Sequence, residues 1–266
     1  MAFEYLTNVP LEKARQDYLD ALLSAGLTAC SETLLTLEAT NRITARAVYA
    51  RISSPHYNAC AMDGIALQAS QTFGATETTP VRLLEGTFQW VNTGDPLPEG
   101  CDAVVMVEDV VQEEGKVVLY AAAVPWQNVR QIGEDISAGD MILPSYSVLT
   151  PAAIGALLES GVLAVEVITQ PMVGIIPTGN EIVPPTENPH EGDIIESNSA
   201  IFSGMLQEWG CKVRVYPPVG DSPDLIEAAL RNALAECDAV VLNAGSSAGR
   251  KDYSVDAIRK VGEVVL

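Results

Sequence analysis

The chain has 266 residues, 48% of them hydrophobic, and its 35 acidic residues outnumber its 15 basic residues to give a formal charge of −20. This length allows one to three domains, and the apolar fraction is typical of a globular protein and excludes a disordered one. The negative charge repels nucleic-acid phosphate and anionic lipid, so we expect neither a nucleic acid nor a membrane as partner. A small anion is compatible with it, because local dipoles or a bound cation can reverse the sign inside a pocket.

Two further features of composition point to a cytoplasmic location. The start of the chain lacks a basic head followed by an apolar stretch, and no run approaches about 18 consecutive apolar residues. The five cysteines are odd in number and none shows Cys-x-x-Cys spacing, which favours free thiols in a reducing compartment. The two histidines, His56 and His190, lack the spacing of a metal site or a catalytic triad.

The first predicted element is a helix that begins near Pro10 and ends at Gly26, with apolar residues at helical spacing between them. Residues 32–48 predict a short strand followed by another helix. From residue 47 to 139, short apolar runs alternate with turn residues, which is typical of β-structure, and residues 108–120 predict a hairpin around a Glu-Gly turn. A helix returns after Thr150, which is a favourable N-cap, and ends at Gly161.

From residue 171 onward, strands and helices alternate, which predicts an α/β domain with a parallel sheet in three layers. Its first helix follows Ser197, which we expect to be its N-cap, and carries a set of apolar residues that we expect to face inward. They are Ile201, Phe202, Met205, Leu206 and Trp209. We therefore predict three parts: residues 1–46 with 140–170 as a helical linker or dimerisation domain, 47–139 as an inserted β-rich arm or lid, and 171–266 as the α/β domain. The chain stops inside a predicted strand, so we expect this last domain to be incomplete.

Three acidic residues follow the three predicted strands of this domain. Glu181, Asp221 and Asp252 each come after an apolar run, and the last stands close to a loop of small residues, 244–249. Because the carboxyl ends of parallel strands share one edge, the three carboxylates would meet there. A loop of backbone N–H groups binds an anion, and a Mg²⁺ ion held by the acids would bridge to it. The alternative is that these acids only cap helices and decorate loops.

The β-rich segment carries its own candidates at turns. Asp63 precedes a glycine, Thr93 lies at a turn, and Arg130, Glu134 and Asp135 surround Gly133. Taken singly, each is an ordinary turn residue.

In chain order, the motifs form a specific set. They read SPHYNACAMDGIAL, VNTGDPLPEGCDAVVMVEDV, NVRQIGEDISAGD, IIPTGNEIV, GDIIESNS, VGDSPD and NAGSSAGRKDY. From about residue 9 to the end, the chain resembles the molybdopterin molybdenumtransferase family, which is related to the E domain of gephyrin. The resemblance implies insertion of molybdenum from molybdate into adenylylated molybdopterin, with release of AMP and help from Mg²⁺.

The resemblance also implies an assembly and a set of site residues. It implies a homodimer whose active site is shared between the α/β domain of one subunit and the arm of the other, and a molybdopterin adenylyltransferase acting upstream. The residues implied as catalytic are Asp63, Thr93, Asp135, Glu181, Asp221 and Asp252, the last three also as metal ligands. The residues implied as substrate-binding are Ser197, Asn198, Gly245, Ser246, Ser247 and Gly249.

The chain departs from the family pattern in several places. Cys60 stands where the family has serine, and Ala244 replaces the first glycine of the phosphate loop. The family's later Pro-Gly-Lys-Pro motif and C-terminal β-barrel domain are missing, so the resemblance implies a C-terminally truncated member. This leaves open a non-catalytic fragment that binds molybdopterin or acts as a scaffold. A relative that shares only the α/β domain, such as a molybdopterin adenylyltransferase, is disfavoured because such proteins lack the arm.

Overall fold

The computed structural model describes residues 9–26, 28–243 and 253–264. Its contacts divide the chain into two compact units, Met1–Glu32 with Ile168–Leu266, and Thr33–Val167. We call the first the α/β unit and the second the β unit. The three-part division expected from the sequence stays a prediction.

The regular elements of the described residues are five α-helices and seventeen strands. The helices are α1 Leu11–Ser24, α2 Pro151–Glu159, α3 Asn198–Glu208, α4 Pro223–Glu236 and α5 Ser254–Val261. The strands are β1 Ser31–Leu35, β2 Val48–Tyr49, β3 Ala59–Cys60, β4 Gly64–Leu67, β5 Val81–Leu84, β6 Gln89–Val91, β7 Ala103–Met106, β8 Val111–Glu113, β9 Lys116–Leu119, β10 Val129–Arg130, β11 Met141–Leu143, β12 Ala164–Ile168, β13 Met172–Pro177, β14 Ile182–Val183, β15 Ile194–Ile195, β16 Lys212–Val215 and β17 Ala239–Asn243.

The β unit is built from small sheets. Two three-stranded antiparallel sheets have the strand orders β6-β4-β7 and β5-β9-β8. Three further two-stranded sheets are formed by the pairs β1/β12, β2/β11 and β3/β10. One core cluster includes Ile65, Leu67, Val105 and Leu119, all buried, because alternate side chains of a strand point to one face. The hairpin predicted for residues 108–120 is confirmed as β8 and β9.

A second core cluster of the β unit lies beside α2. The helix begins as predicted, because the hydroxyl of Thr150 accepts a hydrogen bond from the Ala153 N–H at 3.2 Å and Pro151 occupies the first turn. Its apolar side, with Leu157 fully buried, packs in one cluster with Val165 and Val167 of β12.

The helix predicted within residues 32–48 is wrong. After β1 the chain makes a 3-10 turn, Thr36–Glu38, turns again at Asn41, where φ is +63°, and reaches β2 without forming an α-helix. The hydroxyl of Thr36 donates to the Val162 carbonyl at 2.7 Å, and that of Thr44 donates to the Pro144 carbonyl at 2.9 Å. These distant main-chain partners hold the segment in this non-helical path.

The α/β unit contains the parallel sheet that the sequence predicts, with strand order β16-β13-β17. The central strand β13 is buried along most of its length, and Ile176 packs with Ile226, Leu230 and Ala233 of α4. A Cβ added to Gly174 would lie 3.1 Å from the Tyr216 ring and 3.2 Å from the Cys237 sulfur, so a larger residue would crowd the place where α4 approaches the sheet.

The inward orientation predicted for the apolar residues of α3 is only partly right. Phe202 and Leu206 are half-buried, but Ile201, Met205 and Trp209 are exposed, Trp209 to 67%. The helix contacts β16 and β13, and its apolar stripe is wider than the part that this contact covers.

Candidate functional site

The loops that follow β13 and β16 are joined to each other. The Gly179 N–H donates to the Val219 carbonyl at 3.0 Å, and the Asp221 N–H donates to Oδ1 of Asn180 at 3.1 Å. The Asn180 N–H points at Oδ2 of Asp221, at 3.4 Å. Two of the three strand ends predicted to carry the site therefore lie together at the carboxyl edge of the sheet, as expected for parallel strands.

Glu181 lies in the first of these loops and is exposed. Its carbonyl accepts a hydrogen bond from the Ile194 N–H at 2.7 Å, which fixes the backbone. Gly179 has φ +143°, and a Cβ added there would lie 3.1 Å from Oε1 of Glu181, so the carboxylate folds back over the glycine.

The carboxylates of Glu181 and Asp221 fit a hard cation. Within residues 9–26, 28–243 and 253–264, neither forms an ion pair with Lys, Arg or His. Mg²⁺ prefers one or two carboxylates together with phosphate oxygens and water. The described ranges contain no group of three His, Cys, Asp or Glu residues arranged to hold a metal ion, so the magnesium site stays a prediction.

The remaining residues of the predicted phosphate loop fall outside the described part of the chain. They are Gly245, Ser246, Ser247, Gly249 and Asp252.

A pocket of about 100 Å³ lies at the carboxyl ends of β13 and β17. Its wall includes Ser197 and Asn198, the two residues predicted to contact substrate, together with Asn243 at the end of β17. The Asn198 side-chain amide donates to Oδ1 of Asn243 at 3.5 Å, and the Asn243 carbonyl accepts from the Thr178 N–H at 2.9 Å. Sequence reasoning missed Asn243, although it directly follows the apolar run of β17.

Helix α3 is capped by a residue that the sequence reasoning also missed. Oε1 of Glu196 accepts a hydrogen bond from the Ser199 N–H at 2.8 Å, whereas the Ser197 side chain makes no capping bond. Ser197 was predicted as the cap, and this prediction is wrong. The Ser197 hydroxyl is therefore available to the pocket, while a carboxylate already occupies the positive end of the helix.

The β unit brings its own three predicted motifs together. The segment from Asn58 to Asp63 lies between two loops: the Gly94 N–H donates to the Cys60 carbonyl at 2.8 Å on one side, and the Ile132 N–H donates to Oδ1 of Asn58 at 3.0 Å on the other. This arrangement places Asp63, Thr93 and the Arg130 segment in one polar, exposed region of the unit.

Asp63 is held by Thr93. Oδ1 of Asp63 accepts the Thr93 backbone N–H at 2.6 Å and its hydroxyl at 2.9 Å, and these two bonds lower the pKa of Asp63. The glycine that follows is required by close packing, because a Cβ on Gly64 would lie 2.0 Å from the Val105 carbonyl oxygen.

Asp135 is paired with Arg130. The guanidinium contacts Oδ2 of Asp135 at 2.5 Å and Oε1 of Glu134 at 3.5 Å, and the hydrogen bond that it donates to Asp135 raises the pKa of Arg130. All three side chains remain partly or fully open to solvent, so the pair holds a charged surface that a ligand can reach.

Cys60, the departure from the family's serine, is buried in an apolar cluster with Val91 and Val104. Burial raises the pKa of its thiol, and the backbone N–H of Cys60 donates to the Asp95 carbonyl at 2.9 Å. The main chain at this position joins the motifs, and the side chain contributes packing.

Residues 9–161 match the family described as "MoeA N-terminal region (domain I and II)", and residues 174–266 match a "probable molybdopterin binding domain". The chain belongs to the MoeA family. Together the two matches cover the Met-Asp-Gly segment of the β unit and the strand-end loops of the α/β unit.

Named relatives agree with this MoeA membership. The chain is 32% identical over 266 residues to a molybdopterin molybdenumtransferase of Haemophilus influenzae, covering 96% of this chain and 65% of that protein. It is 31% identical over 245 residues to a molybdopterin molybdenumtransferase of Synechococcus elongatus, covering 85% and 61%. The chain thus spans a little over three fifths of the length of these relatives.

A solved structure shares the fold. A molybdopterin biosynthesis MoeA protein from Pyrococcus horikoshii superposes with a TM-score of 0.83 at 29% identity, over 97% of this chain and 68% of that one. In the part of the chain that the structure describes, no helix combines the length and apolar character needed to cross a membrane.

Proposed function

We propose that this chain carries the molybdenum-insertion site of a molybdopterin molybdenumtransferase. The substrates are adenylylated molybdopterin and molybdate; molybdenum enters at the dithiolene sulfurs, and AMP is released. The observation that supports this most directly is the joining of the Glu181 and Asp221 loops at the carboxyl edge of the sheet, next to the Ser197–Asn198 pocket.

Each group of residues has a distinct task in this proposal. Glu181, Asp221 and Asp252 would hold Mg²⁺, which would supply positive charge to the phosphate-bearing substrate. Ser197 and Asn198 hydrogen-bond the substrate at the pocket, and the backbone N–H groups of the phosphate loop bind the leaving AMP. That loop contributes Gly245, Ser246, Ser247 and Gly249.

The β unit contributes fixed charges and hydrogen-bond donors. Thr93 lowers the pKa of Asp63 and holds its carboxylate in one orientation, and Arg130 forms an ion pair with Asp135. In the proposed homodimer, these residues act on the substrate that is bound to the partner subunit. As in the family, the substrate would bind to a three-layer α/β domain, and the β-rich arm would carry Asp63, Thr93 and Asp135. The location we propose is the cytoplasm, with a molybdopterin adenylyltransferase supplying the substrate.

The first experiment measures AMP released when the chain is mixed with adenylylated molybdopterin, molybdate and Mg²⁺. Asp252→Ala is expected to reduce release and to leave the thermal unfolding curve unchanged. Asp224→Ala is the matched control, because Asp224 is a 93% exposed acid on the first turn of α4 outside the proposed site. Unchanged turnover in Asp252→Ala removes that residue from the mechanism.

A mixing experiment tests the shared site. Asp63→Ala and Asp252→Ala subunits are each expected to be impaired alone, and a mixture is expected to recover part of the activity, because a mixed dimer regains one intact site. No recovery, with mixed dimers demonstrated by light scattering and tag exchange, contradicts the shared site.

A second candidate is a binding or scaffolding role without turnover. One observation favours it: residues 174–266 match a family described as a "probable molybdopterin binding domain", and this description names binding alone. Calorimetric binding of adenylylated molybdopterin without any AMP release would support this role, whereas AMP release at catalytic rates would exclude it.

A further inference from the structure

Asn180 and Asp221 form a reciprocal pair between two strand-end loops. The Asp221 N–H donates to Oδ1 of Asn180 at 3.1 Å, and the Asn180 N–H approaches Oδ2 of Asp221 at 3.4 Å. The two residues are 41 positions apart in the chain, so this pair is a tertiary connection and not a local turn. Neither residue is a strand residue, and their bonds extend the connection beyond the last strand pair, Thr178 with Val219.

The Asn180 side chain is seated in a space shaped for it. A Cβ added to Gly220 would lie 2.8 Å from Oδ1 of Asn180, so any larger residue at 220 would push the amide away. The Ser222 N–H donates to the Gly220 carbonyl at 2.7 Å, which leads the chain directly into α4. The loop that carries Asp221 is thus fixed at one end by the helix and at the other by Asn180.

Asn180 is also the residue next to Glu181. The Glu181 carbonyl is held by the Ile194 N–H at 2.7 Å, and the Glu181 carboxylate folds back over Gly179. A displacement of Asn180 would therefore move Glu181 and release Asp221 together.

We propose that Asn180 is a positioning residue that sets the Asp221 carboxylate relative to the Glu181 carboxylate, so that both face one divalent cation. This inference rests on the proposed metal-assisted function for its purpose, but the connection itself can be tested without substrate. Asn180 touches neither metal nor substrate in this role; it acts through the backbone of Asp221.

Two substitutions separate the hydrogen bond from the charge. Asn180→Ala removes the acceptor and leaves the Asp221 N–H without its partner. Asn180→Asp keeps an acceptor oxygen at the same reach and adds a negative charge. Asn232→Ala is the matched control, since Asn232 is an exposed asparagine in α4.

The first readout is the rate of amide hydrogen exchange at Asp221. It is measured by NMR on the whole chain in the absence of metal. Asn180→Ala is expected to accelerate exchange of this amide by about tenfold, because a protecting hydrogen bond is lost. Asn180→Asp and Asn232→Ala are expected to exchange like the unmodified chain. Equal protection of the Asp221 amide in Asn180→Ala overturns the proposal.

The second readout is Mn²⁺ binding, measured by electron paramagnetic resonance of the free ion. Asn180→Ala is expected to bind Mn²⁺ about tenfold more weakly, as for other residues that orient metal ligands, and Asn180→Asp is expected to restore the affinity. Weakening in Asn180→Ala that Asn180→Asp does not restore contradicts positioning through the acceptor.

The two proposals fail in different ways. If the unmodified chain binds no Mn²⁺ while Asn180→Ala loses Asp221 protection, the connection stands and the metal-assisted function fails. If the unmodified chain binds Mn²⁺ and Asn180→Ala binds it equally well, the metal site stands and the role of Asn180 is refuted.

Discussion

Asp63 receives both hydrogen bonds that Thr93 can donate, from its backbone N–H at 2.6 Å and from its hydroxyl at 2.9 Å, on the single oxygen Oδ1. None of the described residues donates a hydrogen bond to Oδ2 of Asp63. The carboxylate therefore has one oxygen that Thr93 fixes and one that a ligand can use. The pair also joins the Met-Asp-Gly segment to the turn at residues 92–95. Orientation and ionisation of Asp63 thus have the same cause.

The first prediction concerns the acid titration of Asp63. Its pKa is lowered first by the Thr93 N–H and then by the Thr93 hydroxyl, so its contribution to stability is present above the unfolded-state pKa and is lost as pH falls through the folded-state pKa. In Thr93→Val only the hydroxyl bond is removed, so the Asp63 pKa is expected to rise while staying below its ordinary value. NMR titration of the side-chain carboxyl carbon measures this shift.

Thr87→Val is the control for this titration. The Thr87 hydroxyl donates to the Leu84 carbonyl and touches no carboxylate, so the Asp63 pKa is expected to stay unchanged. An identical Asp63 titration in Thr93→Val and in the unmodified chain would show that the hydroxyl bond is absent in solution.

The second prediction concerns Gly64. A methyl group there would lie 2.0 Å from the Val105 carbonyl oxygen, inside the β4–β7 pairing, so Gly64→Ala is expected to lower the free energy of unfolding by about 3 kcal/mol or more. Gly155→Ala is the control in the same unit: no atom lies within 4 Å of the added methyl group, and the helix gains about 0.5–1 kcal/mol. Urea denaturation measures both, and equal stability of the two variants would refute the steric argument.

The third prediction compares two helix N-caps that look alike in sequence. Thr150 and Ser222 both precede a proline at a helix start, but only the Thr150 side chain accepts a backbone hydrogen bond. Thr150→Ala is therefore expected to cost about 1 kcal/mol, and Ser222→Ala to change the free energy of unfolding by less than about 0.5 kcal/mol. A larger loss for Ser222→Ala, measured by urea denaturation, would contradict the observed capping.

Helix positions and the strand-end loops could be predicted because their signals are local. Leu11–Ser24 and Pro151–Glu159 lie between a proline-containing start and a glycine end, as expected from the sequence. The joining of the Glu181 and Asp221 loops follows from parallel pairing alone, since carboxyl ends of parallel strands share an edge.

The parts that could not be predicted depend on distant partners. Thr36 and Thr44 bond to carbonyls 126 and 100 residues away, so nothing near them in sequence excludes the helix that their spacing favours. Asn180 gave no signal for the same reason, because its partner is 41 positions away. The helical spacing of apolar residues in α3 indicates which side chains can be buried. It does not indicate how many of them a neighbouring element buries.

The last prediction concerns Tyr216, a half-buried residue that directly follows β16. Its hydroxyl donates to Oε2 of Glu236 at 3.1 Å and lies 3.6 Å from the Cys237 sulfur, and burial raises its pKa from 10.0 to about 12. The folded state then holds the phenolic proton more strongly than the unfolded state. Its contribution to stability is complete below pH 10 and is lost as pH rises from 10 towards 12.

Tyr216→Phe removes this titration and keeps the ring that packs over Gly174. At pH 7 the variant is expected to lose about 0.5–1.5 kcal/mol with the hydrogen bond to Glu236, which keeps its ion pair with Arg214. Between pH 10 and 12 the variant is expected to lose stability less steeply than the unmodified chain, because one phenol no longer ionises on unfolding. Tyr120→Phe, an exposed tyrosine of the β unit, is the control and should keep the original slope. If urea denaturation at pH 7, 9 and 11 gives parallel curves for all three proteins, the Tyr216 proton is not held by the fold.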